Sequence, residues 1–251
     1  MSGPAGIVTL WEESIHVKSY EVDVAGQLRL ASLFNYFQET AGNHATHLGA
    51  GYEKLKTLGY YWVLSRAKVR IQRLPQWRET VTLATWPKGQ DGLLFLRDFR
   101  MTDERGEVLL TGSTGWLLID AEHNKPQLAE VLKITIPRNE YGNAIEGPLQ
   151  KLRPPEELVP IYERKVLASD LDVNNHVNNA RYLEWIADGF DEQHAASGAV
   201  TAFQVNYVGE AVLGNMIAMR RADVPSNNST YIEGVNQATG SKVVQAIVEW
   251  K

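Results

Sequence analysis

The chain contains no cysteine, which excludes disulfide scaffolds, thiolate metal sites and a cysteine nucleophile. No apolar run approaches the ~20 residues that a membrane-spanning helix needs. Basic stretches are missing as well, because the 25 basic and 30 acidic residues are spread along the chain and the formal net charge is -5. We therefore expect neither a membrane span nor a nucleic-acid partner.

The first residues, MSGPAGIVTLWEES, do not contain a basic segment followed by an apolar core, the pattern of a secretory signal. We therefore expect a cytoplasmic protein. With 251 residues, 44% of them apolar, the chain can bury a sizeable core. This length suits either one large domain or two smaller ones.

The first half of the chain predicts a buried helix followed by four strands. Apolar residues at positions 30, 33, 34, 37 and 41 have the spacing of one helical face. The strands are predicted from segments rich in Val, Leu, Thr and aromatic residues, at 61–71, 80–86, 93–101 and 108–119. Turn-forming residues separate them at 74–75, at 87–89 together with 91–92, and at 103–106. A long helix beside an antiparallel sheet is an α+β pattern.

Residues 137–160 are interpreted as a linker, because they are rich in proline and glycine and sustain no apolar period. They separate an N-terminal domain, 1–136, from a C-terminal domain, 161–251. The second domain repeats the order of the first, with a strand near 162–168, a helix from about 179, and strands near 201–207, 216–222, 230–236 and 243–250. The repeated order predicts an internal duplication.

Aligning Asp23 with Asp172, at an offset of 149 residues, superposes the apolar faces of the two predicted helices. A second offset, of 135 residues, places the strand residues 67–71 on 202–206. Matching element order, buried face and loop position together favour two copies of one fold.

The two copies differ in the loop before the helix. Ala25 and Gln27 in the first copy stand where Asn174 and His176 stand in the second. An imidazole near its unperturbed pKa can accept and return a proton at neutral pH, and the helix start offers N–H groups that can stabilise an oxyanion. The alternative is structural: Asn178 or Asn179 caps the helix, and Asn174 and His176 satisfy the loop backbone.

The run DVNNHVNN from Asp172 to Asn179, followed by Tyr182 and Trp185, resembles the active-site segment of acyl-carrier-protein thioesterases of plant and bacterial type. The first half also resembles the N-terminal domain of that family, in the segments 33–44, 61–63 and 77–86. The resemblance implies two tandem hotdog domains, each a long helix packed on an antiparallel sheet. It also implies hydrolysis of a fatty acyl-ACP thioester to a free fatty acid and the carrier-protein thiol.

By the same resemblance, the family's catalytic residues fall on Asp172, Asn174 and His176, and a downstream acid falls on Glu210. Ala211 stands where many plant members have a cysteine, so a cysteine-based triad cannot operate here and water must attack the thioester. We expect Glu210 or His176 to activate this water, Asn174 to position it or the carbonyl, and Asp172 to orient the loop. A plain surface carboxylate is the alternative for Glu210. No cofactor or metal is implied.

The expected partner is an acyl carrier protein bearing a phosphopantetheine-linked acyl chain, and a homodimer is possible. Three alternative functions stay open: an acyl-CoA thioesterase, a hotdog hydratase or dehydratase, and a non-catalytic acyl-thioester-binding protein. Acyl chain length cannot be read from the sequence, because it depends on the depth of a tunnel set by packing. The first-half tryptophans, Trp62, Trp77, Trp86 and Trp116, are candidates either for that tunnel or for the core.

Two further groups of residues could bind a ligand or a partner, and each also has a purely structural interpretation. His44 and His47 have a spacing that could bind a metal, but a role at the helix C-terminus is favoured because no third ligand is evident. Lys68, Arg70, Arg73 and Arg78 could dock an acidic carrier protein, or could simply form a solvated strand face.

Overall fold

The computed structural model describes residues 8–132, 137, 140–190 and 200–251. The first half contains β1 (Trp11–His16), α1 (Leu30–His47), α2 (Tyr52–Thr57), β2 (Tyr60–Ile71), β3 (Thr80–Asp91), β4 (Leu94–Asp103), β5 (Val108–Asp120) and β6 (Lys125–Gln127). The second half contains β7 (Val159–Lys165), α3 (Asn179–Asp188), β8 (Val200–Tyr207), β9 (Met216–Val224), β10 (Ser229–Asn236) and β11 (Lys242–Trp250). Short 3-10 turns lie at Ser19–Glu21, Ala129–Leu132, Ala168–Asp170 and Pro225–Asn227.

The described strands form one continuous antiparallel sheet in the order β1-β3-β4-β5-β2-β8-β11-β10-β9-β7, with β6 paired to β5. The halves join where β2 pairs with β8, from Arg66 opposite Asn206 to Arg70 opposite Ala202. These are the two strands that the offset of 135 residues aligns. The edge strands β1 and β7 begin the two copies, so each copy runs inward from its own edge of the sheet.

The predicted buried helix is confirmed, and it extends beyond 41 to His47. Its buried residues include Leu33, Phe34 and Phe37. Phe37 stacks on Phe99 of the sheet with ring centroids 4.2 Å apart. Gly112 permits this approach, because a Cβ there would lie 2.5 Å from the Phe37 ring. The helix is therefore seated directly on the sheet.

The second helix, α3, begins at Asn179 as predicted, and it is capped by Asn178, whose side-chain oxygen accepts a hydrogen bond from Ala180 N at 2.8 Å. Its residues Leu183, Trp185 and Ile186 are buried in the same hydrophobic core as the apolar face of α1. An α+β architecture with two copies of a helix on an antiparallel sheet is thus confirmed.

The predicted turn at 87–89 is wrong. Strand β3 continues through these residues to Asp91, with a register shift between Pro87 and Gly89, and the hairpin turn follows at 92–93. Proline lacks an N–H, and Gly89 has a φ of 134°, so both residues suit a bulge within the strand as well as a turn.

The segment 140–152 lies against the sheet without forming a helix or strand. Ala144 N donates to the buried Asp98 carboxylate at 2.7 Å, Trp86 Nε1 donates to Gly142 O at 3.1 Å, and Gln204 Nε2 donates to Gln150 O at 2.6 Å. Hydrogen bonds to both halves of the chain therefore hold segment 140–152 against the sheet.

Candidate functional site at the junction of the two halves

The loop 171–177 is organised by Asp172. Its Oδ1 atom accepts hydrogen bonds from Asn174 N at 2.8 Å and His176 N at 3.4 Å, and its own N–H donates to His176 O at 2.8 Å. Asn175 takes a left-handed conformation, with a φ of 61°, and closes the turn by donating to Asp172 O. Asp172 therefore holds the backbone of both Asn174 and His176.

The His176 side chain contacts Glu210. Their Nε2 and Oε2 atoms lie 3.4 Å apart, and the side chains are 34% and 49% exposed. Val177 N donates to Ala211 O at 3.0 Å, which ties the two loops together next to this pair. The structure thus brings together an imidazole and a carboxylate that are 34 positions apart in the sequence, at a depth that water can reach.

A cavity of about 410 Å³ opens beside the loop. Its lining falls into two sets. The second-half residues are Asp172, Val173, Asn174 and Asn179, and the first-half residues come from α1, the α1–α2 connection, α2 and strands β2 to β5. Most of the first-half lining is apolar, including Leu48, Leu55, Trp62, Phe95 and Trp116. The polar loop of one copy therefore opens into the apolar interior of the other.

Only two of the four candidate tryptophans line this cavity, namely Trp62 and Trp116. Trp86 is buried elsewhere, and Trp77 is 48% exposed on the surface. Trp62 and Trp116 thus line the cavity and Trp86 belongs to the core, whereas Trp77 fits neither interpretation.

The start of α3 joins the loop to the cavity. Asn179 Nδ2 donates to Gln38 Oε1 at 2.9 Å, and both residues line the cavity. The expectation that several helix N–H groups are available is only partly met, because Ala180 N is bound by the Asn178 side chain and Arg181 N by the Asn178 carbonyl. Among the described residues of this loop and helix start, the N–H groups of Val173 and Asn179 have no hydrogen-bond partner.

Tyr61 is a polar cavity residue that the sequence interpretation did not identify. Its hydroxyl donates to Asn124 Oδ1 at 2.9 Å. Burial, and then the charge of Glu210, raise the pKa of Tyr61, so its hydroxyl keeps its proton. No local motif marks Tyr61, because its position depends on the strand that carries it.

The first copy reproduces the loop geometry without its chemistry. Asp23 Oδ1 accepts from Ala25 N at 2.8 Å and Gln27 N at 2.9 Å, as Asp172 does in the second copy. Gly26 takes the left-handed conformation that Asn175 takes in the other loop. Leu28 N donates to Pro75 O at 2.8 Å, which makes Leu74 the counterpart of Glu210. Ala25, Gln27 and Leu74 therefore stand in this copy where Asn174, His176 and Glu210 stand in the second, and none of the three can titrate.

The two copies also differ at a position that lines this cavity in the first half. At the offset of 149 residues, the cavity residue Ala41 corresponds to Phe190, whose ring packs on Trp250 with centroids 4.8 Å apart. The first copy therefore has a small residue within α1 where the second has a phenyl ring just beyond the end of α3.

His44 is not a helix-end cation. Its ring is fully buried, Nδ1 accepts from Arg97 Nη1 at 2.9 Å, and Nε2 donates to Val8 O at 2.9 Å. Burial lowers the pKa of His44 to about 4, and burial also lowers the pKa of Arg97 to about 10. A neutral imidazole cannot complement the helix dipole as a charge, so that expectation is corrected. Among the described residues, no group of His, Asp and Glu side chains could hold a metal ion.

No helix in the described ranges combines the length and apolarity that a membrane span requires.

Comparison with known proteins identifies the family. Residues 9–133 match the acyl-ACP thioesterase N-terminal domain, and residues 157–251 match the acyl-ACP thioesterase C-terminal domain. Among curated relatives, the chloroplastic acyl-[acyl-carrier-protein] hydrolase FATB1 of Cuphea viscosissima is 26% identical over 254 residues, covering 95% of this chain and 61% of that protein. Oleoyl-acyl carrier protein thioesterase 2 of Arabidopsis thaliana is 23% identical over 250 residues, covering 92% of this chain and 68% of that protein. The chain spans about three-fifths of the length of its Cuphea FATB relatives.

Two solved structures share the fold over nearly their whole length. An acyl-ACP thioesterase from Bacteroides thetaiotaomicron has a TM-score of 0.81 at 26% identity, covering 97% of this chain and 98% of the other. The 12:0-ACP thioesterase from Umbellularia californica has a TM-score of 0.78 at 22% identity, covering 100% and 99%. The two helix-on-sheet copies are therefore tandem hotdog domains, and the chain belongs to the acyl-ACP thioesterase family.

Proposed function

We propose that this chain hydrolyses fatty acyl-ACP thioesters to free fatty acid and holo-ACP, and so terminates fatty acid synthesis. The observation that carries the proposal is the His176–Glu210 contact beside a mainly apolar cavity built by the other half of the chain. An acyl chain fits an apolar cavity, and a thioester carbonyl at its mouth would lie next to an acid–base pair.

In this mechanism, water is the nucleophile. The His176–Glu210 pair accepts a proton from water as its oxygen attacks the thioester carbon. The carbonyl oxygen becomes an oxyanion, and we propose that the N–H groups of Val173 and Asn179 and the Asn174 amide bind it, because these three residues line the cavity. The carbon–sulfur bond then breaks, and the proton passes to the departing thiolate, which leaves as the carrier-protein thiol.

Asp172 is a positioning residue in this scheme, since its carboxylate binds the backbone of Asn174 and His176. Tyr61 lines the cavity from the first half, and its hydroxyl donates to Asn124. Their amide and hydroxyl groups suit the amides of a pantetheine arm, which would pass this point on the way to the carrier protein.

The domain boundaries 1–136, 137–160 and 161–251 are part of the proposal. Matches to the family's two domain descriptions at 9–133 and 157–251 support a division in this region, and β7 begins at Val159, close to the end of the proposed linker. A cytoplasmic location and a homodimer are further proposals, although the Cuphea and Arabidopsis relatives are named as chloroplastic. Cell fractionation and analytical ultracentrifugation test these two.

The deciding experiment is a parallel assay of purified protein on acyl-ACP and acyl-CoA across chain lengths, following both free thiol and free fatty acid. We expect thiol release from acyl-ACP with a higher kcat/KM than from acyl-CoA of the same chain. Faster turnover of acyl-CoA would favour the alternative substrate. Hydration of an enoyl thioester without thiol release would favour a hydratase, and binding without turnover would favour a non-catalytic role.

A further inference from the structure

A tyrosine hydroxyl joins the two segments that carry the candidate acid–base pair. Tyr207 is the last residue of β8, and its hydroxyl donates to Asn179 O at 3.0 Å. Asn179 is the first residue of α3 and follows His176 by three positions, while Glu210 follows Tyr207 by three positions. The bond therefore connects the end of the loop that carries His176 to the start of the loop that carries Glu210.

A second hydrogen bond joins the same two segments. Val177 N donates to Ala211 O at 3.0 Å, and these two residues directly follow His176 and Glu210 in the sequence. Two bonds restrict the movement of one segment against the other far more than one bond does. Together they hold His176 Nε2 and Glu210 Oε2 at their separation of 3.4 Å.

The Tyr207 side chain is itself held by packing. Its ring makes an edge-on contact with the ring of Tyr182, with centroids 5.8 Å apart, and Tyr182 is buried. Burial raises the pKa of Tyr207 well above its usual value, so the hydroxyl keeps the proton that it donates. Burial raises the pKa of Tyr182 as well, although the Ala211 N–H that binds its oxygen lowers it. The two tyrosines therefore contact both of the joined segments.

The first copy forms the same loop without a tyrosine at this position. Its strand β2 ends at Ile71, as β8 ends at Tyr207, and neither Ile71 nor the next residue, Gln72, carries a hydroxyl. The backbone bond from Leu28 N to Pro75 O is nevertheless present in that copy. The loop fold therefore does not require the hydroxyl bond, which is found in the copy that carries the candidate acid–base pair.

We propose that Tyr207 is a positioning residue for hydrolysis and acts through Asn179. Asn179 lines the cavity, whereas Tyr207 is not part of its lining. By holding Asn179, the hydroxyl fixes the N–H group assigned to the oxyanion and keeps the His176 segment against the Glu210 segment. The inference rests on the proposed function, because it assigns Tyr207 a role in that reaction.

The experiment compares Tyr207→Phe with Tyr162→Phe in acyl-ACP hydrolysis. Tyr162 is a matched control, because its hydroxyl donates to Trp185 O, a carbonyl of the same helix. Each substitution removes one hydroxyl bond to α3 and keeps the ring, and urea unfolding of both variants measures the general cost of that loss. We expect kcat to fall about fivefold to tenfold in Tyr207→Phe with KM for acyl-ACP unchanged, and to stay within about twofold of native in Tyr162→Phe.

Native-state hydrogen exchange supplies a readout that does not depend on hydrolysis. The amide hydrogens of 171–181 and 208–212 should exchange severalfold faster in Tyr207→Phe than in the native protein, and Tyr162→Phe should leave both segments unchanged. Unchanged kcat or unchanged exchange in Tyr207→Phe overturns the inference, and so does an equal fall in kcat in both variants. A native chain that releases no thiol from acyl-ACP contradicts the proposed function instead, while hydrogen exchange still decides whether Tyr207 holds the two segments together.

Discussion

Asn179 and Gln38 are hydrogen-bonded across the two copies, with Asn179 Nδ2 at 2.9 Å from Gln38 Oε1. Gln38 belongs to α1, which lines the cavity, and Asn179 is the first residue of α3, the helix that follows the candidate catalytic loop. The bond therefore fixes the position of the reacting groups relative to the chain that they would act on.

The first prediction concerns this bond. Gln38→Ala removes the acceptor and should lower kcat/KM for acyl-ACP by about fivefold to tenfold, a cost of ~1 kcal/mol for one hydrogen bond. Gln245→Ala, a substitution in strand β11 away from the cavity, is the control for a general effect of losing a glutamine. Unchanged kcat/KM in Gln38→Ala would show that the bond does not position the loop.

The second prediction concerns acyl chain length. Ala41→Phe introduces into the cavity the residue that the second copy carries at the equivalent position, Phe190. The phenyl ring should occupy space needed by a long acyl chain, so kcat/KM for the longest accepted chain should fall at least tenfold more than for the shortest. Steady-state kinetics on a series of acyl-ACPs measures this ratio, and an equal loss at every length would contradict the assignment of the cavity.

The third prediction follows from His44. Its pKa is lowered from 6.5 to about 4 by burial, so the unfolded chain binds a proton more readily than the folded chain between these values. The stability contribution of neutral His44 is complete above pH 6.5 and is lost as the pH falls toward 4, by up to ~3 kcal/mol. Urea unfolding at pH 7 and pH 4.5 measures it.

The control for this titration is His44→Gln, which keeps a donor and an acceptor but does not titrate. The difference in unfolding free energy between native protein and variant should shrink or reverse as the pH falls. A difference that stays constant from pH 7 to 4.5 would contradict the burial of a neutral imidazole.

The fourth prediction uses two glycines of the first half. Gly112→Ala places a methyl group 2.5 Å from the Phe37 ring and should lower the unfolding free energy by ~1–3 kcal/mol. Gly42→Ala lies within α1 with nothing within 4 Å of the new Cβ, and should raise it by up to ~1 kcal/mol. Thermal unfolding of both variants tests the pair, and the same sign of change in both would contradict the packing of α1 on the sheet.

Local periodicity was sufficient to predict α1, α3 and most of the strands. Each of these elements buries one face, so its apolar residues recur with the period of a helix or a strand. Strand β1 was missed, since half of its six residues, WEESIH, are acidic or hydroxyl side chains and its alternation is only partly buried. Helix α2 was missed because six residues are too few to establish a period.

The candidate site was less accessible to sequence reasoning. The comparison of the two copies located Asn174 and His176 from the residues alone, because only one copy carries them. Glu210 came from the family resemblance, since its contact with His176 joins two loops distant in sequence. Tyr61 and the partition of the cavity between the halves depend on the pairing of β2 with β8, which no local pattern specifies.

The most direct test of the central claim is the kcat for acyl-ACP hydrolysis in His176→Ala and Glu210→Gln, compared with Gln27→Ala. Gln27 is the counterpart of His176 in the copy without the site, so its variant makes the matched change in the same loop fold. Loss of proton transfer by the pair predicts a fall of about 10²–10⁴-fold in kcat for both site variants and a change of less than about twofold for Gln27→Ala. Hydrolysis that survives both His176→Ala and Glu210→Gln would contradict the assignment of the catalytic site.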